Sequence, residues 1–406
     1  MKILILSNNF DPFVEGGAEI AAHNLAKWLQ QQGHTVGVLT VARGHLLPEE
    51  SLPEVSTENG LRIYRKHFPN VYDGFYYAKA HPLLKPLWHL HDQFNLWTNA
   101  TVRQVVEDFQ PDIVNVHNIQ GMGYNVLRTL GALNLPVLLT LHDLGLLCLN
   151  KEMFRHGKEC VKQEWFCRIT SKIKLSHLHK IQRIGICTSS QILLDIVSPR
   201  LDIQPDRLRL IPNINVFEPP THPKQTIPKT RFLYVGRMVP SKGVVFLLGV
   251  LEELSKKFDF EMIMVGGGEL LGKLQRRYAK ATWVHFTGLI PATEVSNHMQ
   301  DADLLLVPSL WKELCPLVIF QAIEMGLPCV ASRIGGIPQL IEHGVNGDLI
   351  PPADAQAWRN VLEKILKNPD VISDWHAGVL KRKELYDHNQ AGRQIVQFME
   401  QICAAQ

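Results

Sequence analysis

Two cations in the segment GRMVPSKG, residues 236 to 243, have the types and spacing needed to bind a phosphate. The segment follows the apolar run RFLYV and precedes the apolar stretch VVFLLGVLEEL, a pattern that predicts a strand, a glycine turn and a helix. Arg237 would stand at the strand end and Lys242 at the helix start, where both could converge on one diphosphate. Two solvated basic residues in a loop are the open alternative.

A second glycine turn near the N-terminus has a related chemistry. In EGGAE, Gly16 and Gly17 precede a stretch whose apolar residues fall on one helical face. Backbone N–H groups at such a helix start can approach an anion, with the helix dipole behind them. A turn glycine without a ligand remains the alternative.

Three further motifs could carry chemistry. His142 ends an apolar run in TLHD, where an imidazole could bond a sugar hydroxyl or serve a purely structural role. Asp301 and Asp303 match an Asp-x-Asp metal signature, but their position before an apolar run predicts the opposite edge of a sheet. The segment VGGGELLG spaces its outer glycines wrongly for a dinucleotide loop. We therefore expect no metal and no resident cofactor.

The elements that must position these residues are short apolar runs separated by helical stretches, which is typical of parallel sheets covered by helices. They form two series, and the proline-containing segment 217–230 lies between them as a linker. The predicted fold class is α/β, with one doubly wound domain over residues 1–216 and another over residues 231–383. Such a pair would bind ligands in a cleft at the carboxyl ends of both sheets.

The composition of the chain limits the classes of partner that we expect the protein to bind. The chain has 406 residues, of which 46% are hydrophobic and 20% charged, and a formal charge of +3 gives no reason to expect nucleic acid. The N-terminal apolar run in MKILILSNNF predicts a first strand, because it is too short for a signal segment or a membrane span. Seven cysteines without a close Cys-x2-Cys pair suit free thiols in a reducing cytoplasm better than a metal site or disulfides.

Taken together, the motifs resemble the retaining GT-B glycosyltransferases of family 4. The resemblance covers almost the whole chain and is carried by GGAE, TLHD, LIPNIN, GRMVPSKG, FTGLIP and PSLWKELCPLVIFQAIEMGLPCVASRIGGIPQLIEHGVNGDLIPP. It implies two Rossmann-like domains that face each other across a cleft, the first for the acceptor and the second for the donor. It also implies that a helix over residues 384–406 crosses back to the first domain.

The resemblance also implies roles for single residues. Arg237 and Lys242 would hold the leaving diphosphate of a nucleotide sugar, and Gly16 and Gly17 would cap the same group. Glu313 would position the sugar. Further contacts with the donor would come from His142 toward a far hydroxyl, from Ile290 toward the base, and from backbone N–H groups between Leu314 and Val318, a stretch that includes Cys315 and Leu317.

Gln321 departs from the family pattern, which has a second acid there that bonds the ribose hydroxyls. An amide keeps a carbonyl acceptor and adds donors, so Gln321 could still bond a ribose. Only a charge-assisted bond would be lost, which weakens donor binding by roughly 1 kcal/mol.

Two stretches of the first domain are candidates for acceptor contacts. Residues 71–97 are rich in aromatic side chains, which could stack on sugars, lie at a lipid interface or form a helical core. Residues 155–183 carry an excess of basic side chains, among them Lys172, Lys174 and Lys180, which could rest on anionic lipid or form a solvated helix face.

The expected function is metal-independent transfer of a hexose, with retention, from a UDP- or GDP-sugar to a saccharide or lipid-linked acceptor. Such a reaction would serve polysaccharide or glycolipid biosynthesis in the cytoplasm, with a peripheral contact at the inner face of the cell membrane. Two alternatives remain open, a nucleotide-sugar epimerase or hydrolase on a related fold, and a non-catalytic protein that binds nucleotide sugar.

Overall fold

The computed structural model describes residues 1–13, 16–42, 53–72, 81, 83–95, 97–155, 158–160, 162–225 and 227–405. The chain divides into two compact units. The first is formed by Met1–Ile214 with His388–Gln406, and the second by Asn215–Asp387.

The first unit contains an eight-stranded sheet and a two-stranded ribbon. Its elements up to the second unit are β1 (Lys2–Leu6), α1 (Gly17–Gln31), β2 (Thr35–Val41), β3 (Val55–Glu58), β4 (Leu61–Lys66), α2 (Leu84–Phe94), α3 (Trp97–Phe109), β5 (Ile113–Val116), α4 (Asn125–Ala132), β6 (Val137–Leu141), β7 (Phe154–Arg155), β8 (Lys158–Glu159), α5 (Trp165–Leu178), β9 (Ile184–Thr188), α6 (Gln191–Leu201) and β10 (Leu208–Leu210). The large sheet has the order β10-β9-β6-β5-β1-β2-β4-β3, and all its pairs are parallel except β3 with β4.

The second unit contains a six-stranded sheet in the order β13-β12-β11-β14-β15-β16, and every pair is parallel. Its elements are β11 (Thr230–Val235), α7 (Val244–Leu254), β12 (Phe260–Val265), α8 (Leu271–Arg277), β13 (Val284–Gly288), α9 (Ala292–Asp301), β14 (Leu304–Val307), α10 (Leu317–Glu324), β15 (Cys329–Ser332), α11 (Ile337–Leu340), β16 (Gly347–Ile350), α12 (Ala355–Lys367) and α13 (Asp370–Leu385). These two parallel sheets with covering helices confirm the predicted α/β fold class.

Helices cover both faces of the second sheet because its strands are apolar on both sides. Along β11, Phe232 and Tyr234 belong to one core cluster, whereas Leu233 belongs to the cluster on the opposite face. Continuous apolar strands of this kind are typical of buried parallel sheets.

A last helix, α14 (His388–Ala404), packs on the first unit. Ile395, Phe398 and Ile402 are buried in the core of that unit, and Trp28 Nε1 donates a hydrogen bond of 2.9 Å to Asn389 Oδ1. The helix begins at His388, later than the expected start at residue 384, because α13 continues to Leu385.

Each sheet has a point at which the strand order reverses. In the first sheet β1 lies between β2 and β5, and in the second β11 lies between β12 and β14. Loops from the two flanking strands separate there, which leaves a crevice at the carboxyl ends where such folds bind ligands. No helix in the described part of the chain is both long and apolar enough to cross a membrane.

Candidate active site

A buried carboxylate gathers three donors at the reversal point of the second sheet. Glu313 Oε1 accepts hydrogen bonds from Lys242 Nζ at 2.5 Å, Ser309 Oγ at 2.6 Å and Trp311 Nε1 at 3.0 Å. Glu313 is only 5% exposed, and Lys242 Nζ also lies 5.3 Å from the centre of the Trp311 ring. A buried ion pair is stable only when extra hydrogen bonds offset its desolvation, and Ser309 and Trp311 supply them.

Glycine permits the two loops of this cluster to meet. A short 3₁₀ turn, Pro240–Lys242, leads into Gly243, which has a φ of 70° and begins α7. A Cβ atom on Gly243 would lie 2.0 Å from the carbonyl oxygen of Pro308. The Leu310 N–H donates to the Ser241 carbonyl at 2.8 Å, so backbone contacts fix the approach of Lys242 to Glu313.

Arg237 follows β11 and is exposed, and its guanidinium has no hydrogen-bond or ion-pair partner among the residues described. Its backbone is held from both sides. The Tyr234 hydroxyl donates to the Arg237 carbonyl at 2.8 Å, and burial raises the pKa of Tyr234 well above its ordinary value, so this donor stays protonated. Met238 N–H donates to the Gly267 carbonyl at 2.6 Å. The glycines of VGGGELLG thus brace the Arg237 loop.

The segment after Glu313 leads into α10 and requires one correction. Its backbone was expected to offer N–H groups from Leu314 to Val318, but Pro316, at the N-terminal cap of α10, has none. Leu317 and Val318 occupy the first positions of the helix, where backbone N–H groups have no acceptor within the helix. Cys315 is half-buried before the cap.

Two predicted donor contacts lie on other elements of the second unit. Gln321 is half-buried in α10, and its side-chain amide has no hydrogen-bond partner among the described residues. Ile290 packs against the core beside α9, and the preceding Leu289 is 86% exposed. Both remain predictions as ligand contacts.

In the first unit, His142 is the end of a buried hydrogen-bond chain at the carboxyl edge of the sheet. Its Nε2 lies 2.8 Å from Nδ1 of His117, and His117 Nε2 lies 2.8 Å from Asn115 Oδ1. Asn115 Nδ2 donates to the Leu138 carbonyl and to Thr140 Oγ1, each at 2.9 Å. Burial lowers the pKa of His142 to about 4 and the pKa of His117 well below its usual value, so both rings are neutral near pH 7.

The first helix begins where the sequence predicted a glycine turn. Gly16 is the N-terminal cap of α1 and Gly17 its first residue, and a glycine has no side chain with which to cap the helix. The carboxylate of Glu19 lies against Gly16, because a Cβ atom there would be 2.9 Å from Glu19 Oε2. The helix start therefore already has an acidic neighbour from the first turn, which the sequence reasoning did not anticipate.

Comparison with known proteins decides the family. Residues 15–214 match the family described as Glycosyltransferase Family 4, and residues 229–368 match Glycosyl transferases group 1. Together these matches cover most of the chain and show a glycosyltransferase of the family 4 type. The phosphatidyl-myo-inositol mannosyltransferase of Mycolicibacterium smegmatis is 23% identical in an alignment 412 residues long, which covers 99% of this chain and 94% of that protein.

Solved structures agree on the fold of this glycosyltransferase. Sucrose-phosphate synthase from Thermosynechococcus elongatus superposes with a TM-score of 0.76 at 19% identity and covers 100% of both chains. HepE from Anabaena, solved in complex with UDP-glucose, gives a TM-score of 0.67 at 18% identity and covers 99% of this chain and 100% of its own. The predicted GT-B fold and family are confirmed.

The carboxylates of the Asp-x-Asp pair, Asp301 and Asp303, accept hydrogen bonds from other residues of the glycosyltransferase. Asp301 Oδ1 accepts from the Gln225 N–H at 2.8 Å, and Asp303 accepts from Arg231 N–H and Lys224 Nζ, both at 2.9 Å. These bonds tie the start of β11 and the segment before it to the turn between α9 and β14. Nowhere in the described ranges do three His, Cys, Asp or Glu side chains come together in an arrangement that could hold a metal ion, and all seven cysteines are free thiols.

The two acceptor candidates are only partly as expected. Trp88 is buried and Tyr72 lies against it, as in a helical core, but Phe94 and Trp97 are 49% and 68% exposed. Phe75, Tyr76 and Tyr77 lie outside the described residues. The interpretation of Lys174 as a solvent-facing or lipid-facing cation is wrong, because it is 2% exposed and its Nζ donates to the Gly145 carbonyl at 2.6 Å.

Sequence reasoning missed four side chains that shape these sites. Ser309 and Trp311 lie in the same motif as Glu313, and this proximity was the available signal. His117 follows β5 as His142 follows β6, and two histidines at the ends of neighbouring parallel strands must come close. Asn115 is a polar residue inside an apolar strand, a pattern that indicates a buried hydrogen bond.

Proposed function

We propose that this glycosyltransferase transfers a hexose, with retention of anomeric configuration, from a nucleotide sugar to a saccharide or lipid-linked acceptor. The observation that carries the proposal is the pair of cations at the reversal point of the second sheet, one held by Glu313 and the other without a partner among the described residues. Arg237 and Lys242 would bind the diphosphate of the donor. The UDP-glucose complex of the similar HepE structure supports such a donor.

The chemistry follows from which groups are charged. The bond between the anomeric carbon and the diphosphate oxygen breaks, and a bond to the acceptor oxygen forms on the same face of the sugar. The acceptor's proton passes to the departing diphosphate oxygen. Arg237 and Lys242 stabilise the negative charge that develops there, which is the role a metal ion has in other transferases. We therefore propose that no metal is required.

Glu313 is poorly suited to act as a nucleophile. A retaining reaction with a covalent intermediate needs a carboxylate free to attack the sugar. Here Oε1 accepts three hydrogen bonds, and one of them comes from a cation. We propose instead that Glu313 positions Lys242, whose ammonium group retains further N–H donors for a phosphate.

Incubation with UDP-glucose, UDP-galactose, GDP-mannose and ADP-glucose tests this function. We expect acceptor-dependent nucleotide release that persists in EDTA, and a product whose anomeric configuration by NMR equals that of the donor. Nucleotide release without acceptor would indicate a hydrolase, and interconversion of the sugars an epimerase. Binding of nucleotide with no turnover on any donor would indicate a non-catalytic protein. An inverted product or loss of activity in EDTA would contradict the mechanism.

We further propose that the first unit rests on anionic lipid at the cytoplasmic face of the membrane, where a lipid-linked acceptor would be presented. The helices α2 and α5 pack together and expose apolar side chains toward solvent. We use the name α2–α5 face for the exposed apolar side chains on or next to these two helices, which are Leu83, Leu87, Leu90, Phe94, Trp97, Trp165 and Ile169. Arg168 and Lys172 are exposed on α5, and Lys162 is exposed just before it. Apolar side chains flanked by cations are typical of interfacial helices.

Vesicle flotation tests the α2–α5 face. We expect the protein to bind phosphatidylglycerol vesicles more strongly than phosphatidylcholine vesicles, and less at high salt. The double variant Leu87→Glu with Phe94→Glu should lose binding, whereas Leu385→Glu, at a residue 62% exposed in the second unit, should not. Equal binding by both variants would overturn the assignment of the surface, and a wild type that ignores both vesicles would remove membrane contact altogether.

A further inference from the structure

The hydrogen-bond chain behind His142 determines where each proton lies, starting from a backbone carbonyl. The oxygen of Leu138 can only accept a hydrogen bond, so the Asn115 atom 2.9 Å from it must be the amide nitrogen. The amide oxygen of Asn115 then faces His117 Nε2 at 2.8 Å. An oxygen that accepts requires a donor, so the proton of His117 is on Nε2.

The same argument extends to the second ring. A neutral imidazole carries one N–H, so His117 Nδ1 is an acceptor, and His142 Nε2, 2.8 Å away, must donate to it. The two ring planes differ by only 20° and their centroids are 5.0 Å apart, as expected when an N–H in one ring plane points at the lone pair of the other. Both rings are neutral because burial disfavours their charged forms.

The remaining nitrogen of His142 is Nδ1, which by this count carries a lone pair. It has no hydrogen-bond partner among the described residues, and His142 is partly exposed. A lone pair repels carboxylate and phosphate oxygens and attracts an O–H group. The polarity of this position is thus set by residues that do not themselves touch the ligand.

We propose that Asn115 and His117 are positioning residues that hold His142 in its Nε2–H tautomer, so that Nδ1 accepts a hydrogen bond from a hydroxyl group of the sugar. This inference rests on the proposed function for the identity of the ligand, but the tautomer itself does not. The class of ligand group recognised here is a neutral hydroxyl donor, and an anionic group is excluded.

Nitrogen NMR of the full chain with 15N-labelled histidine tests the tautomer without any substrate. We expect both His117 and His142 to show a protonated Nε2 and an unprotonated Nδ1 near pH 7. His117→Gln should preserve this state of His142, because the Gln side chain offers an acceptor to one neighbour and a donor to the other. His117→Leu removes the acceptor, so we expect the Nδ1–H tautomer of His142 to appear. A protonated Nδ1 in the wild type, or an unchanged His142 in His117→Leu, would overturn the proposal.

A matched control separates positioning from stability. His179, in the same unit, bonds the Leu201 carbonyl at 2.6 Å, so His179→Leu also deletes a histidine hydrogen bond to the protein. We expect it to leave the spectrum of His142 unchanged even where it lowers the melting temperature. If His117→Leu does not fold, the comparison of the wild type with His117→Gln still decides, because a changed His142 tautomer in the Gln variant contradicts the proposal.

Kinetics then test recognition of the hydroxyl. For whichever of UDP-glucose, UDP-galactose or GDP-mannose supports turnover, we expect one monodeoxy analogue to lose roughly five- to a hundredfold in kcat/KM with the wild type. That loss should persist in His117→Gln and shrink in His117→Leu. A wild type that treats all monodeoxy analogues like the parent sugar refutes recognition of the hydroxyl. If no donor turns over, the proposed function fails while the NMR result stands by itself.

Discussion

The polar groups at the reversal points of the two sheets differ in charge. In the second unit, an exposed arginine and a lysine bound to a buried carboxylate place full charges beside the carboxyl ends of β11 and β14. In the first unit, the residues at the ends of β5 and β6 form a neutral chain of an amide and two imidazoles. Charges suit a leaving diphosphate, whereas neutral donors and acceptors suit hydroxyl groups. The contrast agrees with our proposal that the second unit stabilises developing charge and the first unit recognises uncharged hydroxyl groups.

Removal of Lys242, one of the two cations of the second unit, should have the largest effect on activity. We expect Lys242→Met to lower kcat/KM by roughly tenfold to a thousandfold, because it deletes a cation from the position where negative charge develops. Arg237→Ala should lose a similar factor without loss of stability, since its guanidinium bonds no described residue. Steady-state kinetics and thermal melts of both variants measure the two effects.

The control for Lys242 is Lys256→Met, a change at an exposed lysine that follows α7. It removes the same charge from the same unit and should leave kcat/KM within about twofold, because a solvated charge away from the site contributes little. Equal losses in Lys242→Met and Lys256→Met would mean that net charge, rather than the position next to Glu313, matters.

A buried lysine in the first unit is the second test, because there a charge has a structural role. Lys174 Nζ lies 4.2 Å from the centre of the Tyr124 ring and donates to the Gly145 carbonyl, and burial lowers its pKa to about 8. We expect Lys174→Ala to lower the free energy of unfolding by about 2–4 kcal/mol, as for other broken buried polar contacts.

Urea denaturation checks this value, and Lys172→Ala is the matched control. Lys172 lies on the exposed face of the same helix, so its loss should change the free energy of unfolding by less than about 0.5 kcal/mol. Equal midpoints for the two variants would show that Lys174 is solvated in solution.

The sequence reasoning succeeded where one physical rule acts alone. Strands of the two sheets are predictable because both faces are buried and their residues are almost all apolar. The hairpin of β3 and β4 was not predicted, since its strands contain Glu58, Arg62 and Arg65, and Arg65 is buried through bonds to Glu58 and Ser56. Charged residues that satisfy each other look like a loop when each is considered separately.

The site was predictable in part for the same reason. Arg237 and Lys242 follow from a glycine turn after a strand, a local pattern. The interpretation of Lys174 was wrong because its position in a helix does not show which residues the neighbouring helix places next to it. Here that helix contributes Asp92, and burial raises the pKa of Asp92 to about 7. The bond from His117 to His142 joins two strands, so only the order of strands in the sheet reveals it.

The neutral state of the buried His142 ring predicts that the stability of the protein depends on pH. His142 has a folded pKa of about 4, below its ordinary value of 6.5, so the unfolded state binds the proton more tightly. Its contribution is therefore complete above about pH 6.5 and is lost as the pH falls toward 4. We expect the wild type to lose about 1–3 kcal/mol more than His142→Gln between pH 7 and 4.5.

Urea denaturation at several pH values measures this difference, and the remaining histidines cancel because they are common to both proteins. Parallel curves for the wild type and His142→Gln would show that the imidazole titrates normally. The statement that the first unit offers neutral imidazoles would then be wrong, even if the hydrogen bonds of His117 and His142 remained.

The smallest expected effect concerns Gln321, which is uncharged although it lies in the second unit. If its amide bonds the ribose, Gln321→Ala should weaken nucleotide binding about fivefold, a loss of roughly 1 kcal/mol. Gln321→Glu should bind equally or more tightly, because a carboxylate accepts stronger hydrogen bonds from hydroxyl groups. Turnover at saturating donor should change little in either variant, since the ribose contact is the same in the ground and transition states.

Calorimetric titration with UDP and GDP measures these affinities, and Glu313→Gln is the contrasting variant because it should lower turnover itself. If Gln321 bonds the ribose, an uncharged side chain recognises hydroxyl groups even in the second unit, close to Lys242 and Glu313. Unchanged affinity in Gln321→Ala would mean that the side chain does not reach the ribose. A wild type that is inert on every donor, together with an active Gln321→Glu variant, would mean that position 321 requires a negative charge. In that case a charged residue would be needed for hydroxyl recognition within the second unit as well, and the two units would not differ in this respect.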